Sequence, residues 1–233
     1  MTTPLPISGY VLAGGRSTRM GTDKALLQLA GKPLIAHAVA KLRRICADVH
    51  ILSANPALAA YAPLVADLQP GCGPVGGIEA ALAHSQHDWN LILPVDVPFL
   101  PAAILERWAA ASIAPTETNR VGMFAVDERP QPAVCLLHKD IAPSIAAAVA
   151  LGEFKLLPVL EAAAGVLALQ REQPLSHFLR CGSPTDFVLA ARPGESSGAL
   201  TETQLATQRL WFANLNTPQD LVEAEAHANA LDS

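Results

Sequence analysis

The feature that most constrains this chain is a glycine pair that directly follows its first apolar run. Residues 7–12 predict a β-strand, and Gly14-Gly15 then opens a polar loop. Glycines at such a turn let backbone N–H groups approach a phosphate without obstruction by a Cβ atom. The same loop contains cations that a triphosphate needs as counter-charge, namely Arg16, Arg19 and Lys24. The pattern favours a phosphate-binding loop over a turn whose glycines serve only its geometry.

Composition narrows the classes of protein that the chain fits. Its 233 residues suit one α/β domain, and a hydrophobic content of 51% supplies a sizeable core. A net charge of −5 argues against a nucleic-acid binder. Four scattered cysteines fit reduced thiols better than a zinc site or disulfides. No signal-peptide pattern or membrane-length apolar run is evident, so we expect a cytoplasmic protein without membrane contacts. We also expect a monomer.

Strand and helix patterns alternate through the first half of the chain. Predicted strands at 7–12, 49–52, 64–66 and 91–93 alternate with predicted helices at 34–46, 78–85 and 102–111. Further strands are predicted at 121–126, 133–137, 166–169 and 211–215, and further helices at 141–151, 154–164 and 184–191. A final helix follows Thr217 as its N-cap. The alternation predicts an α/β fold, a Rossmann-like and mostly parallel sheet with helices on both faces.

Polar residues follow several of these strands and are candidates for chemistry. Ligands of such sheets sit beyond the carboxyl ends of the strands, which places Asn55, Asp67 and Asp96 along one edge with the glycine loop. Asp96 follows a buried strand and is a candidate ligand for Mg²⁺, which takes one or two carboxylates plus phosphate oxygens. The alternative for Asp96 is a carboxylate that caps the turn at Pro98.

Other patterns are weaker. Residues 71–76 match the Gly-x-Gly-x-x-Gly fingerprint of dinucleotide-binding enzymes, with Asp96 at a suitable distance. Gln69-Pro70 separates these glycines from the preceding strand, and Pro74 removes a backbone donor, so we rank this reading below phosphate binding. His84 and His87 have a spacing that binds metals but lack an evident third ligand.

Residues 12–24, Leu-Ala-Gly-Gly-x-Ser-x-Arg-Met-Gly-x-Asp-Lys, resemble the signature loop of nucleotidyltransferases and, among them, of the molybdenum cofactor guanylyltransferases. Further segments resemble that family in the family's order: 53–55, Asp67 with 73–78, the Pro-x-Asp-x-Pro-Phe segment at 94–99, 129–132 and the Asn-x-Asn-Thr-Pro segment at 214–218. Cytidylyl relatives usually carry Ala-Gly where this chain has Gly14-Gly15, so the resemblance is to the guanylyl branch.

The resemblance implies one nucleotidyltransferase domain, residues 1–233, of glycosyltransferase-A-like architecture. Residues 192–208 are polar and rich in turn-forming residues, so we expect a mobile insertion there. It implies transfer of GMP from GTP to the terminal phosphate of molybdopterin, with release of pyrophosphate. Arg19 and Lys24 would hold the triphosphate, and Asp96 would hold Mg²⁺. The implied substrate-binding residues are Leu12, Ala13, Gly14, Gly15, Lys24, Asn55, Asp67, Asp96, Asn214 and Asn216.

Alternatives to this reaction stay open on sequence alone. A cytidylyl or sugar-phosphate nucleotidyltransferase would carry the same loop, and an adaptor would bind GTP and pass cofactor to a partner without transfer. A dinucleotide-binding oxidoreductase is the alternative that residues 71–76 suggest. Partners beyond GTP and molybdopterin would be molybdenum-insertion proteins and the molybdoenzymes that receive the product.

Overall fold

The computed structural model describes residues 3–14, 23–188 and 200–232. The strands of this part of the chain are β1 (Leu5–Leu12), β2 (Gln28–Leu29), β3 (Lys32–Pro33), β4 (Cys46–Leu52), β5 (Leu64–Val65), β6 (Trp89–Pro94), β7 (Val121–Val126), β8 (Arg129–His138) and β9 (Leu179–Gly182). Its α-helices are α1 (Leu34–Arg43), α2 (Gly73–His84), α3 (Ala102–Ser112), α4 (Ala142–Ala150), α5 (Leu156–Gln170), α6 (Glu202–Ala206) and α7 (Pro218–Glu225). None of these helices is both long and apolar enough to cross a bilayer.

A seven-stranded sheet in the order β5-β4-β1-β6-β8-β7-β9 is the centre of the fold. The pairs β5/β4, β4/β1, β1/β6 and β7/β9 are parallel, whereas β8 runs antiparallel to both β6 and β7. The prediction of a mostly parallel α/β sheet is therefore confirmed. Its antiparallel strand belongs to the β7–β8 hairpin, whose turn residues Asp127 and Glu128 both have positive φ, as a tight two-residue hairpin turn requires.

Alternation along β1 divides the core between the two faces of the sheet. Ile7 and Val11 point into one apolar cluster, with α1, α3 and residues from the C-terminal segment. Tyr10 points into the other cluster, with α2, α4 and α5. Successive side chains of a strand alternate between faces, so both faces of this central strand are covered, as the sequence predicts for a doubly wound sheet.

The structure differs from the predicted elements at several places, and the short strands β2 and β3 and helix α6 were not predicted. Helix α2 begins at Gly73, so the glycine run forms its first turns rather than a loop before residue 78. Residues 166–169 lie in the last turns of α5 and are not a strand, because Leu167 and Ala168 pack into the core from one side of the helix while Val166 and Leu169 are exposed. Residues 211–215 contain no strand; a short 3₁₀ turn and a bend bring Trp211 and Leu215 into the core. Strand β9 was not predicted.

The segment predicted to be a mobile insertion is only partly described. Residues 200–208 include α6, which Thr201 caps through a reciprocal capping box with Gln204. Residues 192–199 lie outside the described residues, as does part of the helix predicted at 184–191, of which the 3₁₀ turn Pro184–Phe187 is described. The mobility of the insertion stays a prediction.

A buried lysine joins the C-terminal segment to the loop that follows β6. The Lys41 ammonium donates to the carbonyl oxygens of Pro98, at 2.9 Å, and Leu100, and lies 3.4 Å from the Asp232 carboxylate. The same carboxylate accepts from the backbone N–H of Ala102 and from Gln204. Burial lowers the pKa of Lys41, and the charge of Asp232 opposes this effect. The contacts therefore stabilise a charge that would otherwise be costly to bury.

Replacing Asp232 by alanine tests this anchor. Asp232→Ala leaves the Lys41 charge buried without its counter-ion, so we expect the free energy of unfolding to fall by about 2–4 kcal/mol, measured by urea denaturation. The exposed Glu153 provides a control, and Glu153→Ala should change stability by less than about 0.5 kcal/mol. Equal effects of the two substitutions would contradict the proposed anchor.

A polar cluster lies between the sheet and the carboxyl end of α2. The Tyr10 hydroxyl is 3.1 Å from Nδ1 of His84, and the rings of His50 and His84 meet edge to face with centroids 4.5 Å apart. Asp48 lies 3.6 Å from His50 and 3.8 Å from His87. Burial raises the pKa of Tyr10 to about 12. Burial and the neighbouring His84 lower the pKa of His50, although Asp48 acts in the opposite direction.

These contacts give the fold an expected pH dependence. Because the pKa of folded His50 lies below its ordinary 6.5, the unfolded chain takes up a proton first and the free energy of unfolding falls as the pH drops below that value. His50→Gln should flatten this dependence in urea denaturation measured across the range, whereas His177→Gln, at an exposed position, should not. An unchanged slope in His50→Gln would contradict the assignment.

Candidate active site

Three parallel strands end side by side and define the edge at which the predicted site residues meet. In the register of the sheet, Leu12 of β1 pairs with Leu52 of β4 and with Pro94 of β6. The backbone continues the pairing, since Ala13 N–H donates to the Leu52 carbonyl at 3.4 Å and Val95 N–H donates to the Leu12 carbonyl at 3.1 Å. The segments that follow the three strands therefore leave the sheet as neighbours, as the sequence predicted.

Lys24 and Asp96 form the centre of this edge. The Lys24 ammonium donates to Oδ2 of Asp96 at 2.6 Å and to Oδ1 of Asn216 at 2.7 Å. The two charged side chains are 17% and 21% exposed, so the pair is shielded from water but open to a ligand. Asp96 and Asn216 lie 72 and 192 positions after Lys24 in the chain, and the fold brings an oxygen atom of each into contact with the Lys24 nitrogen.

The start of helix α7 fixes the position of Asn216. Thr217 is the N-cap, as predicted, and it forms a reciprocal capping box with Asp220. One oxygen of Asp220 accepts from the backbone N–H groups of Asn216, at 2.7 Å, and Thr217, at 2.8 Å. These hydrogen bonds hold the pKa of Asp220 below its ordinary value. Leu215 N–H also donates to the Asp96 carbonyl at 3.1 Å. The C-terminal segment is thus tied to the segment after β6 that carries Asp96.

Asn55 uses its polar atoms within the protein. Its Oδ1 accepts from Ala57 N–H at 3.0 Å and caps a short 3₁₀ turn, while its Nδ2 donates to the carboxylate of Asp23. The other oxygen of Asp23 accepts from Ala25 N–H at 2.9 Å. Asp23 therefore links the segment leading to Lys24 with the end of β4. Sequence reasoning missed this role, although its place directly before Lys24 in the signature was visible.

Asp67 faces the first turns of helix α2. A Cβ atom at Gly76 would lie 3.8 Å from one Asp67 oxygen, and a Cβ atom at Gly77 would lie 3.7 Å from the other. Partial burial raises the pKa of Asp67. The closest atoms would be the Cβ of Cys72, 2.8 Å from a Cβ at Gly76, and Cδ1 of Leu12, 3.1 Å from a Cβ at Gly77, so close packing explains both glycines. The Asp67 carboxylate beside them has lost part of its hydration, which suits it to a ligand with paired N–H donors.

The remaining predicted residues lie around this centre. Leu12 and Ala13 are half-buried and Gly14 is exposed, with the backbone of Leu52 beside it. Asn214 is exposed and lines a cleft of about 300 Å³ between Phe99 and helix α7. The loop residues Gly15, Arg16 and Arg19 lie outside the described residues, so their roles stay predictions.

The donor set fits a hard divalent cation. Carboxylate and amide oxygens, from Asp96 and Asn216, converge on the Lys24 ammonium, and oxygen ligands of this kind are what Mg²⁺ prefers. Within residues 3–14, 23–188 and 200–232, no group of three or more His, Cys, Asp or Glu side chains could hold a metal by itself. The site therefore matches a metal that is bound jointly by protein and phosphate, and His84 and His87 belong instead to the polar cluster near the other end of α2.

Solved structures share the fold. A molybdopterin-guanine dinucleotide biosynthesis protein A from Archaeoglobus fulgidus superposes with a TM-score of 0.68 and 22% identity, over 95% of this chain and 98% of that one. The 2-C-methyl-D-erythritol 4-phosphate cytidylyltransferase of Thermus thermophilus superposes with a TM-score of 0.54 and 17% identity, over 94% and 98%. These likenesses confirm the expected nucleotidyltransferase architecture.

Sequence comparison gives the family. The molybdenum cofactor guanylyltransferase of Serratia proteamaculans is 37% identical over 182 residues, which cover 74% of this chain and 89% of the relative. The enzyme of the same name from Rhizobium johnstonii is 31% identical over 230 residues, covering 97% and 94%. Residues 9–168 match the MobA-like NTP transferase domain. With the aligned strand ends and the Lys24–Asp96 pair in place, the chain belongs to the MobA-like NTP transferase family.

Proposed function

We propose that the protein transfers GMP from GTP to the terminal phosphate of molybdopterin, forming molybdopterin guanine dinucleotide and pyrophosphate. The observation that carries the proposal is the convergence of Lys24, Asp96 and Asn216 at the carboxyl edge of a nucleotidyltransferase sheet. The names of the Serratia and Rhizobium relatives, which are similar over most of their length, support the choice of guanylyl transfer.

The reaction needs positioning and charge neutralisation rather than a protein nucleophile. An oxygen of the acceptor phosphate attacks the α-phosphorus of GTP in line, a new P–O bond forms, and the bond to the β-phosphate oxygen breaks with release of pyrophosphate. Lys24 would donate to phosphate oxygens and offset the charge that develops on them. Asp96 would hold Mg²⁺, which when bound supplies further positive charge at the phosphates. Arg19 is proposed to assist Lys24.

Asp67 is proposed to recognise the guanine base. The Watson–Crick edge of guanine presents N1–H and a 2-amino group as adjacent donors, and a carboxylate accepts both. Cytosine presents the acceptor N3 there, which a carboxylate repels. The partial burial of the Asp67 carboxylate at the first turns of helix α2 supports this role, because a carboxylate that has lost hydration gains from paired N–H donors. Gly14 and Asn55 would lie near the nucleotide, and Asn214 and Asn216 on the acceptor side.

Pyrophosphate release measures the proposed reaction directly. With molybdopterin present, we expect release from GTP and much less from CTP or UTP. Asp96→Asn should lower kcat by about 100-fold or more, because a major source of charge stabilisation is lost. The matched control is Asp88→Asn. Asp88 directly precedes β6, at the end of the strand away from Asp96, and forms a surface ion pair with Lys139. This substitution should leave the rate unchanged.

Several outcomes would contradict the proposal. Full activity of Asp96→Asn would show that Asp96 does not hold the metal. Product from CTP or UTP and not from GTP would identify a different nucleotidyltransferase. GTP binding without pyrophosphate release under any condition would indicate an adaptor, and saturable NAD(P)H binding that is lost on Gly73 substitution would indicate an oxidoreductase.

The base-recognition role has its own test. In Asp67→Asn the side-chain amide replaces one acceptor by a donor, so it clashes with one guanine N–H. We expect kcat/KM for GTP to fall by about 10- to 100-fold, the range for a hydrogen-bonding group left unpaired, and kcat/KM for CTP to rise, because the amide can donate to the cytosine N3 that the carboxylate repels. A parallel loss for both nucleotides, with an unchanged melting temperature, would show that Asp67 does not read the base.

A further inference from the structure

The Lys24 ammonium is hydrogen-bonded to the Asp96 carboxylate, which is the group to which a divalent cation would bind. Its nitrogen lies 2.6 Å from Oδ2 of Asp96, and Asn216 supplies a second acceptor at 2.7 Å. Mg²⁺ binds oxygen at about 2.0–2.1 Å. A cation at that distance from the Asp96 carboxylate would lie close to the ammonium in a site largely shielded from water, where like charges repel strongly. The two cations therefore compete for Asp96.

A triphosphate changes this balance. Lys24 has three N–H donors and no acceptor, and a triphosphate offers it charge-assisted hydrogen bonds to a group that carries several negative charges, whereas Asp96 carries one and Asn216 none. A lysine drawn to phosphate leaves the Asp96 carboxylate with negative charge and room for a metal. Free energies of binding are reciprocal, so metal on Asp96 in turn releases Lys24 for the nucleotide.

We propose that Lys24 is an internal counter-ion that excludes divalent metal from Asp96 until a nucleoside triphosphate draws it away, and that Asn216 is the positioning residue that holds it there. Metal and nucleotide then enter the site together rather than separately. The inference rests on the proposed function only through the metal role of Asp96. The hydrogen bonds from Asn216 and Thr217 N–H to Asp220 place the Asn216 side chain and thereby extend this control to helix α7.

Binding of Mn²⁺ alone to the full chain, followed by electron paramagnetic resonance in the absence of nucleotide, tests the competition. Lys24→Met keeps an unbranched side chain, one atom shorter, and removes its charge, and we expect it to bind Mn²⁺ about 10-fold tighter than the unsubstituted protein or more. The matched control is Lys32→Met, at an exposed position on β3, which should leave the affinity unchanged. Damage to the fold would weaken binding, so a gain in affinity is specific.

Asn216→Ala tests whether the hydrogen bond from Lys24 to Asn216, apart from the charge of Lys24, affects metal binding. This substitution leaves every charge in place and removes one of the two acceptors of Lys24, so Mn²⁺ should bind more tightly than to the unsubstituted protein and less tightly than to Lys24→Met. Unchanged or weaker binding in Lys24→Met would overturn the competition, and unchanged or weaker binding in Asn216→Ala would overturn the positioning role.

The double variant Lys24→Met/Asp96→Asn distinguishes failure of this inference from failure of the proposed function. If Lys24→Met gains Mn²⁺ binding and the double variant loses that gain, both the competition and the metal role of Asp96 are supported. If the double variant keeps the gain, Mn²⁺ binds elsewhere and both are overturned. If Lys24→Met gains no binding while Asp96→Asn weakens Mn²⁺ binding in the presence of GTP, the competition is wrong and the metal role of Asp96 stands.

Discussion

The parallel register of β4, β1 and β6 is the constraint on which the rest of the structure depends. Because Leu12 pairs with Leu52 on one side and Pro94 on the other, all three strands end at one level, and the segments after them leave the core together. A shift of one residue in any pair would turn the alternating side chains toward the wrong face and would bury polar groups that now meet at the edge. The apolar residues of β1 on both faces fix this register through packing.

The C-terminal segment supplies part of the site at the carboxyl edge of the sheet. Lys41 joins the loop after β6 to Asp232, Leu215 hydrogen-bonds to the backbone of Asp96, and Asn216 holds Lys24. A carboxylate, an ammonium and an amide thus come from three distant parts of the chain. The charges are balanced by each other and by backbone dipoles, which keeps the site polar but ordered before any substrate is bound.

Much of this arrangement could be predicted from local patterns. The strand–glycine–loop sequence at 7–15, the buried strand before Asp96 and the capping signals at Thr217 and Asp220 each depend on residues close together in the sequence. Contacts between distant segments could not be predicted. Nothing local shows that Lys24 meets Asp96, that Asp23 bonds to Asn55, or that Lys41 is buried. The misread strand at 166–169 has the same origin, since four apolar residues suit a strand and a helix end equally well, and packing decided for the helix.

The anchor at Asp232 has a consequence for how the protein is made. Residue 41 leaves the ribosome early, yet its ammonium meets its carboxylate only after residue 232 has emerged from the exit tunnel, some 190 residues later. During translation the loop beyond β6 therefore lacks the counter-ion that stabilises the lysine against it. We expect a nascent chain that has not yet exposed Asp232 to hold the loop after β6 less firmly than the folded protein does.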